Sequence, residues 1–241
     1  MRILVLVAHP DDEVIMSGAT ISKMKRKGHE VHVGYYSNNE EAYFGSTSQE
    51  SRAKRARKEA YDAGKILGFS QHFLPFKDMH LGDNKGSVIK STIDILRTMR
   101  PDIVITHNKN DKHIDHRTLG ELVPEANFQS GCKLCGGNVV WSAPVVLQGE
   151  VDLEKTNQFN FNVVSEVSES DVKNKIDAFS CYSTVKEEHK TQQNVLVDKL
   201  KLTMNLRGSS IGIKYGEAFI LDNYSIQDSK SIRILSEFLE C

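Results

Sequence analysis

The chain has 241 residues, 39% hydrophobic and 26% charged, with a formal net charge of −1. That is the make-up of one large soluble domain, and it gives no electrostatic case for nucleic acid or an anionic membrane as partner. No apolar stretch approaches the roughly 18 residues of a membrane span, and the four cysteines imply no disulfide framework.

The chain opens with MRILVLVAHPDD. The apolar run Ile3 to Ala8 lacks polar alternation, as expected of a strand buried on both faces of a sheet. Arg2 and this run imitate a secretory leader. The run is short, however, and leads into HPDDE instead of a small-residue cleavage site, so a cytoplasmic protein is expected. A helix is predicted over Ser17 to Lys27, ended by Gly28, with its cations in the last turns where they suit the dipole. A second strand, Glu30 to Tyr36, completes a βαβ unit. A polar loop, Ser37 to Gly45, precedes a long helix from Gln49 to Leu67 that Gly68 closes.

Phe73 to Phe76 reads as a short third strand, Val88 to Met99 as an amphipathic helix, and Ile103 to Thr106 as a fourth buried strand. Its exit loop is HNKNDKHIDH, followed by a helix of about Arg117 to Ala126. Beyond it the pattern predicts strands at Val139 to Leu147 and Phe159 to Val167. A helix at Asp171 to Phe179 would be capped by Ser168 or Ser170. A helix at Val185 to Asn205, a strand at Glu217 to Leu221 and a helix at Ser229 to Leu239 close the chain. Alternating β and α elements with buried strands argue for an α/β fold, a mainly parallel sheet with helices on both faces.

Two clusters carry the chemistry, and each closes a buried strand. One is His9-Pro10-Asp11-Asp12-Glu13; the other runs from His107 through His116 and contains His113-Ile114-Asp115-His116. In a doubly wound sheet these loops face each other across the crevice at the carboxyl edge. Two histidines, a carboxylate and an open position make a catalytic zinc site. The spacing offers His9, one of Asp11 and Asp12, and one of His113 and His116 as ligands. A carboxylate left free can accept a proton from water, and a spare histidine can steady an oxyanion or protonate a leaving group. The same donor set also describes a non-haem Fe2+ triad, against which the βα alternation speaks. Ser17, Ser37 and Ser183 lack a G-x-S-x-G context, and no G-x-G-x-x-G or P-loop pattern follows a strand, which disfavours serine-hydrolase, dinucleotide and P-loop chemistry.

AHPDDE after an N-terminal strand, with a later H-x-D-H and Arg117, resembles the LmbE-like (PIG-L) family of zinc-dependent N-deacetylases. KGHEVHV, KEAYDAGKILGF, FKDMHL, RPDIVITHNKNDKHIDHR, KIDAFSCYST and YGEAF extend the resemblance in order along the chain. It implies a Rossmann-like fold in one domain, residues 1–241, with a core of about 1–126 and a part of about 139–241 completing sheet and pocket. It also implies hydrolysis of an N-acetyl group on a small N-acetylglucosaminyl-type molecule. His9, Asp12 and His116 become the ligands of one Zn2+, and Asp11 the general base. His113 becomes the oxyanion and leaving-group residue, with Asp115 holding its ring, and Asp78 a substrate contact. The family's usual arginine before the helix glutamate is here Ala56, and its late Ser-Gln is Ser183-Thr184. Both departures touch substrate recognition.

Four other features complete the chain. Cys132 and Cys135 have the spacing of half a zinc knuckle without a second pair, so an ordinary loop is expected. Between Arg52 and Lys58 the alanines fall at helical spacing, which makes the basic residues a solvated face. His80 sits in the loop after the third strand, where it can line the pocket; the remaining scattered histidines belong to the surface. The loop around Phe128 to Asn138 could serve an interface in a homo-oligomer.

Overall fold

Strand β1, Arg2–Val7, carries the apolar run, and its side chains alternate between two cores. Ile3, Val5 and Val7 enter one; Leu4, Leu6 and then Ala8 enter the other. A run that must satisfy helices on both faces has no room for polar alternation. Each such buried aliphatic contributes about 1.5–3 kcal/mol. The computed structural model describes residues 1–42, 48–133, 139–151, 159–182, 193–225 and 228–240. The remaining strands are β2 (Glu30–Tyr35), β3 (Ser70–Phe73), β4 (Ile103–His107), β5 (Val145–Gly149), β6 (Val163–Glu166) and β7 (Gly216–Leu221). They form one seven-stranded sheet in the order β3-β2-β1-β4-β5-β7-β6.

β1 pairs in parallel with both β2 and β4, with Ile3 opposite Val31 on one side and Ile103 on the other. β3 and β5 extend the parallel set, and β7 runs antiparallel between β5 and β6. The carboxyl ends of β1 and β4 therefore lie side by side at one edge of the sheet. This is the switch-point geometry expected from the sequence.

Helices α1 (Asp12–Arg26), α2 (Gln49–Leu67), α5 (Glu169–Phe179) and α7 (Ser229–Leu239) contribute to the first core; α3 (Lys85–Met99) and α4 (Ile114–Ser130) cover the second. α6 spans Gln193–Ser209. The Ser48 hydroxyl caps α2, and Gly68 ends it in the left-handed region at φ +79°, where a side chain would be strained. α5 opens with a capping box between Ser168 and Asp171.

Several boundaries differ from the sequence reading, each for a local reason. α1 begins at Asp12, five residues before the expected start, and breaks at Ser17 (φ −143°, ψ 17°). Beyond the break, the amides of Ala19 and Thr20 donate to Glu217 (3.1 and 2.7 Å). The Lys175 ammonium donates to Ile15 O at 2.7 Å and pairs with Glu217 at 2.6 Å. α4 begins at Ile114 because the His113 ring caps it, accepting the Asp115 amide. β3 is the half-buried SQHF, not the more apolar Phe73 to Phe76, since Pro75 has no amide to donate to a ladder. β5 starts only after Pro144, and Val139 and Val140 are exposed. β6 is shorter than the expected Phe159 to Val167.

Ala56, Ala60 and Ala63 face inward as expected, but Arg52 does so too. Its Nε donates to Ala42 O at 3.0 Å, and its Nη1 lies 3.6 Å from Glu59. The basic run is therefore not solvated throughout, because one guanidinium ties the loop after β2 to α2. Cys135, Ser183, Thr184, His189 and residues 185–192 of the expected late helix lie outside the described residues. Cys132 is half-buried with a free thiol. Among the described residues no helix is long and apolar enough to cross a membrane.

Candidate active site

Three loops meet at the carboxyl edge. The end of β1 delivers His9, Asp11 and the first turn of α1. The end of β4 delivers His107 and Asp111, and α4 brings His113 and His116 on its N-terminal turn. The segment after β3 adds Asp78.

Within this cluster three donor atoms form a nearly equilateral triangle. His9 Nδ1 lies 3.3 Å from Asp12 Oδ2, His116 Nε2 lies 3.3 Å from the same oxygen, and the two nitrogens are 3.3 Å apart. Donors arranged tetrahedrally at ~2.0–2.1 Å from a zinc-sized ion sit roughly 3.3–3.4 Å from one another. The triangle fits such an ion without rearrangement. The opposite ring nitrogens face carboxylates: His9 Nε2 is 2.9 Å from Asp78 Oδ1, and His116 Nδ1 is 3.3 Å from Asp111 Oδ2. A proton on each of those nitrogens turns the other lone pair toward the triangle, as the outer partners of metal-bound histidines do.

The electrostatics favour positive charge at this point. Burial alone would push His9 down, but Asp115, Asp12 and Asp78 outweigh it and hold the ring well above the usual histidine range. Asp12 would be raised by burial, yet His116 and His107 keep it well below the usual carboxylate range, so it is ionised. His116 is likewise raised by Asp12 and Asp111 against the cost of burial.

Other donors nearby make overlapping groups: His9 with His113 and His116, Asp12 with His107 and His116, and His9 with Asp78 and Asp115. In His107 and in His113 one ring nitrogen already accepts a backbone amide. The Ala8 amide donates to His107 Nε2 at 3.0 Å, and the Asp115 amide donates to His113 Nδ1 at 3.2 Å. Each of these rings is therefore a neutral tautomer whose other nitrogen carries hydrogen. Burial and the charge of His116 push His107 down to about 4; burial, His9 and His116 do the same to His113. The His113 ring stands 4.8 Å, edge-on, from His9 and 4.5 Å from His116.

Asp11 has an unusual backbone, φ 119° and ψ −30°, at the N-cap position of α1, where its side chain makes no capping bond. Its amide donates to Glu13 Oε2 at 3.1 Å. Glu13 is completely buried, accepts the Tyr182 hydroxyl at 2.5 Å, and is pushed up by burial to about 7.

The expected site residues are thus brought to one edge, with differences in detail. The Asp115 carboxylate does not hold the His113 ring. It accepts the amides of Met79 (2.7 Å) and Leu81 (3.2 Å) and lies 3.5 Å from His9 Nε2, so only its amide meets His113. A carboxylate two residues along a helix start points away from the capping ring, which explains the difference. Asp78 is buried between His9 and the Glu41 amide. His80 is exposed and pairs with Asp83 at 2.7 Å. The sequence places His107 and Asp111 in the cluster after β4 without giving either a role: the one opens the exit loop, and the other is one acid among its polar residues.

The family model described as PIG-L, GlcNAc-PI de-N-acetylase, matches residues 4–127, which include every member of the triangle. The chain belongs to this family. It is by class an N-deacetylase. Solved structures of the same fold extend further than that match. The N,N′-diacetylchitobiose deacetylase of Pyrococcus horikoshii superposes with a TM-score of 0.80 at 22% identity, covering 95% of this PIG-L chain and 86% of the other. The A40926 pseudoaglycone deacetylase Dbv21 gives 0.75 at 19% identity, over 92% and 98% of the two chains. The 4-carboxy-2-hydroxymuconate hydratase GalB of Pseudomonas putida KT2440 gives 0.75 at 22% identity, over 91% and 95%. At these identities the likeness is one of fold, and the fold carries more than one reaction.

Proposed function

We propose that this PIG-L family member is a zinc-dependent hydrolase that removes the N-acetyl group of a small N-acetylglucosaminyl-type sugar conjugate, releasing acetate and a free amine. The observation that carries the reading is the donor triangle of His9, Asp12 and His116, with Asp11 adjacent to it in sequence and outside it. His9, Asp12 and His116 would hold the ion. Zinc bound there supplies Lewis acidity toward the amide carbonyl and toward water.

The chain's own residues supply the rest. Asp11 takes the proton of the attacking water. His113, neutral and protonated on Nε2, donates a hydrogen bond to the oxygen on which charge develops. In that state it has no spare proton to give, so the leaving nitrogen collects the one Asp11 has taken. The carboxylates of Asp78 and Asp111 keep the two imidazoles in the required tautomer. The sugar assignment is supported by the family's GlcNAc-PI description and by the diacetylchitobiose deacetylase among the structural neighbours.

The test is release of primary amine and acetate in equal amounts from N-acetylglucosamine, N,N′-diacetylchitobiose, nucleotide-linked N-acetyl sugars and simple acetamides, with zinc restored after chelation. The proposal expects turnover of at least one N-acetyl sugar. It also expects Asp11→Asn to lose about 10²- to 10⁴-fold in kcat while keeping one metal ion per chain. Full activity of Asp11→Asn, or a product formed by adding water across a carbon–carbon double bond, would sink it.

A further inference from the structure

Glu13 is the carboxylate of the HPDDE segment with neither a place in the donor triangle nor a part in the proposed proton transfer, and it is completely buried. A buried carboxylate is costly unless its oxygens are used. Both are used here. Oε2 accepts the Asp11 amide at 3.1 Å, and Oε1 accepts the hydroxyl of Tyr182, itself buried just beyond α5, at 2.5 Å. The amide so held belongs to a residue at φ 119°, a region that side chains rarely adopt and that persists only where the surroundings enforce it. The strained residue is also the neighbour of Asp12, whose side chain enters the triangle.

We propose that Glu13, anchored by Tyr182, is the positioning residue of Asp11. The carboxylate grips the Asp11 amide and fixes its left-handed backbone. Two consecutive aspartates are thereby sent in different directions, Asp12 to the metal and Asp11 to the proton. The inference deepens the proposed function and rests on its assignment of Asp11 as base. Glu13 touches no reacting atom, and a purely structural Glu13 would serve only to join α1 to the end of α5.

The experiment compares Glu13→Ala, Glu13→Gln and Tyr182→Phe with the unchanged chain and with Asp11→Asn, all zinc-loaded. N-acetylglucosamine and N,N′-diacetylchitobiose serve as probes, and each variant is also crystallised. Glu13→Ala is expected to lower kcat by about 10²-fold, the cost of a misplacement of about 1 Å, with KM and zinc content unchanged. Glu13→Gln, which keeps a carbonyl oxygen for the Asp11 amide, should recover most of that loss. In the Asp11→Asn background Glu13→Ala should add nothing, because the residue it positions is already gone. The crystal structure of Glu13→Ala should show Asp11 leaving its positive φ while His9, Asp12 and His116 stay in place.

Retention of φ near its present value in Glu13→Ala would overturn the inference. So would an equal loss in the presence and absence of the Asp11 carboxylate. If Glu13→Ala does not fold, Tyr182→Phe carries the same comparisons with the same signs. An active Asp11→Asn would defeat the base assignment, and the Asp11 backbone in the Glu13→Ala crystal would still decide who positions it.

Discussion

Helix α1 touches two buried clusters of charge, one at each side of its break, and they are built on opposite plans. Past Ser17, Lys175 and Glu217 pair at 2.6 Å, and their remaining valences go to Ile15 O and to the amides of Ala19 and Thr20. One cation meets one anion, and the broken helix is satisfied on both sides. Before the break, Asp12, Asp78, Asp111 and Asp115 stand among His9, His107, His113 and His116. There three donor atoms converge at 3.3 Å. The closed pair is a structural joint. The cluster of converging lone pairs calls for a cation, and that difference separates a site from a scaffold.

The largest way to break this contrast is His116→Ala. It removes one corner of the triangle and should eliminate bound metal and turnover together, a loss of at least roughly 10³-fold, read by elemental analysis beside the amine-release assay. Glu217→Ala attacks the other cluster and leaves a buried ammonium alone. It should cost about 3–5 kcal/mol of folding stability in denaturant titration, with the metal stoichiometry of the folded fraction unchanged. If Glu217→Ala lost its metal at unchanged stability, the two clusters would not be the separate things described here. Asp78→Asn should weaken metal binding by about 10- to 100-fold in a competition titration, because it loosens the His9 tautomer without removing a ligand.

The smallest effect lies where Asp171 of α5 meets Ser22 and Arg26 of α1. Burial works to raise the Asp171 carboxyl, but Arg26, Ser168 and Ser22 outweigh it and keep it below its usual value of 3.8. A depressed carboxylate contributes stability that is present above the unfolded value and lost as pH falls through the folded one. Asp171→Asn should therefore flatten the acid limb of a thermal-stability profile below about pH 4 and leave metal content alone.

Much of this arrangement could be read from residues alone, and the exceptions have physical causes. The unbroken apolar run of β1 specifies a doubly covered strand, so the edge on which HPDDE lies follows from periodicity. The helix spacing that marks α2 and its terminal Gly68 is equally direct. Tertiary partners made the rest. Arg52 turns inward because Ala42 O and Glu59 await it, which no helical pattern discloses. Asp115 reads as the partner of a neighbouring histidine. Its carboxylate instead serves two amides of the segment after β3, some 36 residues away in the chain. His107 reads as the first residue of a polar loop until β1 is placed beside it and the Ala8 amide meets its ring. Sequence motifs name donors, and only the packing decides which lone pairs remain free.

That decision can be checked in one experiment. Crystals of the zinc-loaded chain, measured on both sides of the zinc absorption edge, should give one anomalous peak per chain. It should lie about 2.0–2.1 Å from His9 Nδ1, Asp12 Oδ2 and His116 Nε2, with the Asp11 carboxylate and the His107 ring outside the coordination sphere. A peak ligated by His107 or Asp11, or no peak at this edge of the sheet, would contradict the account.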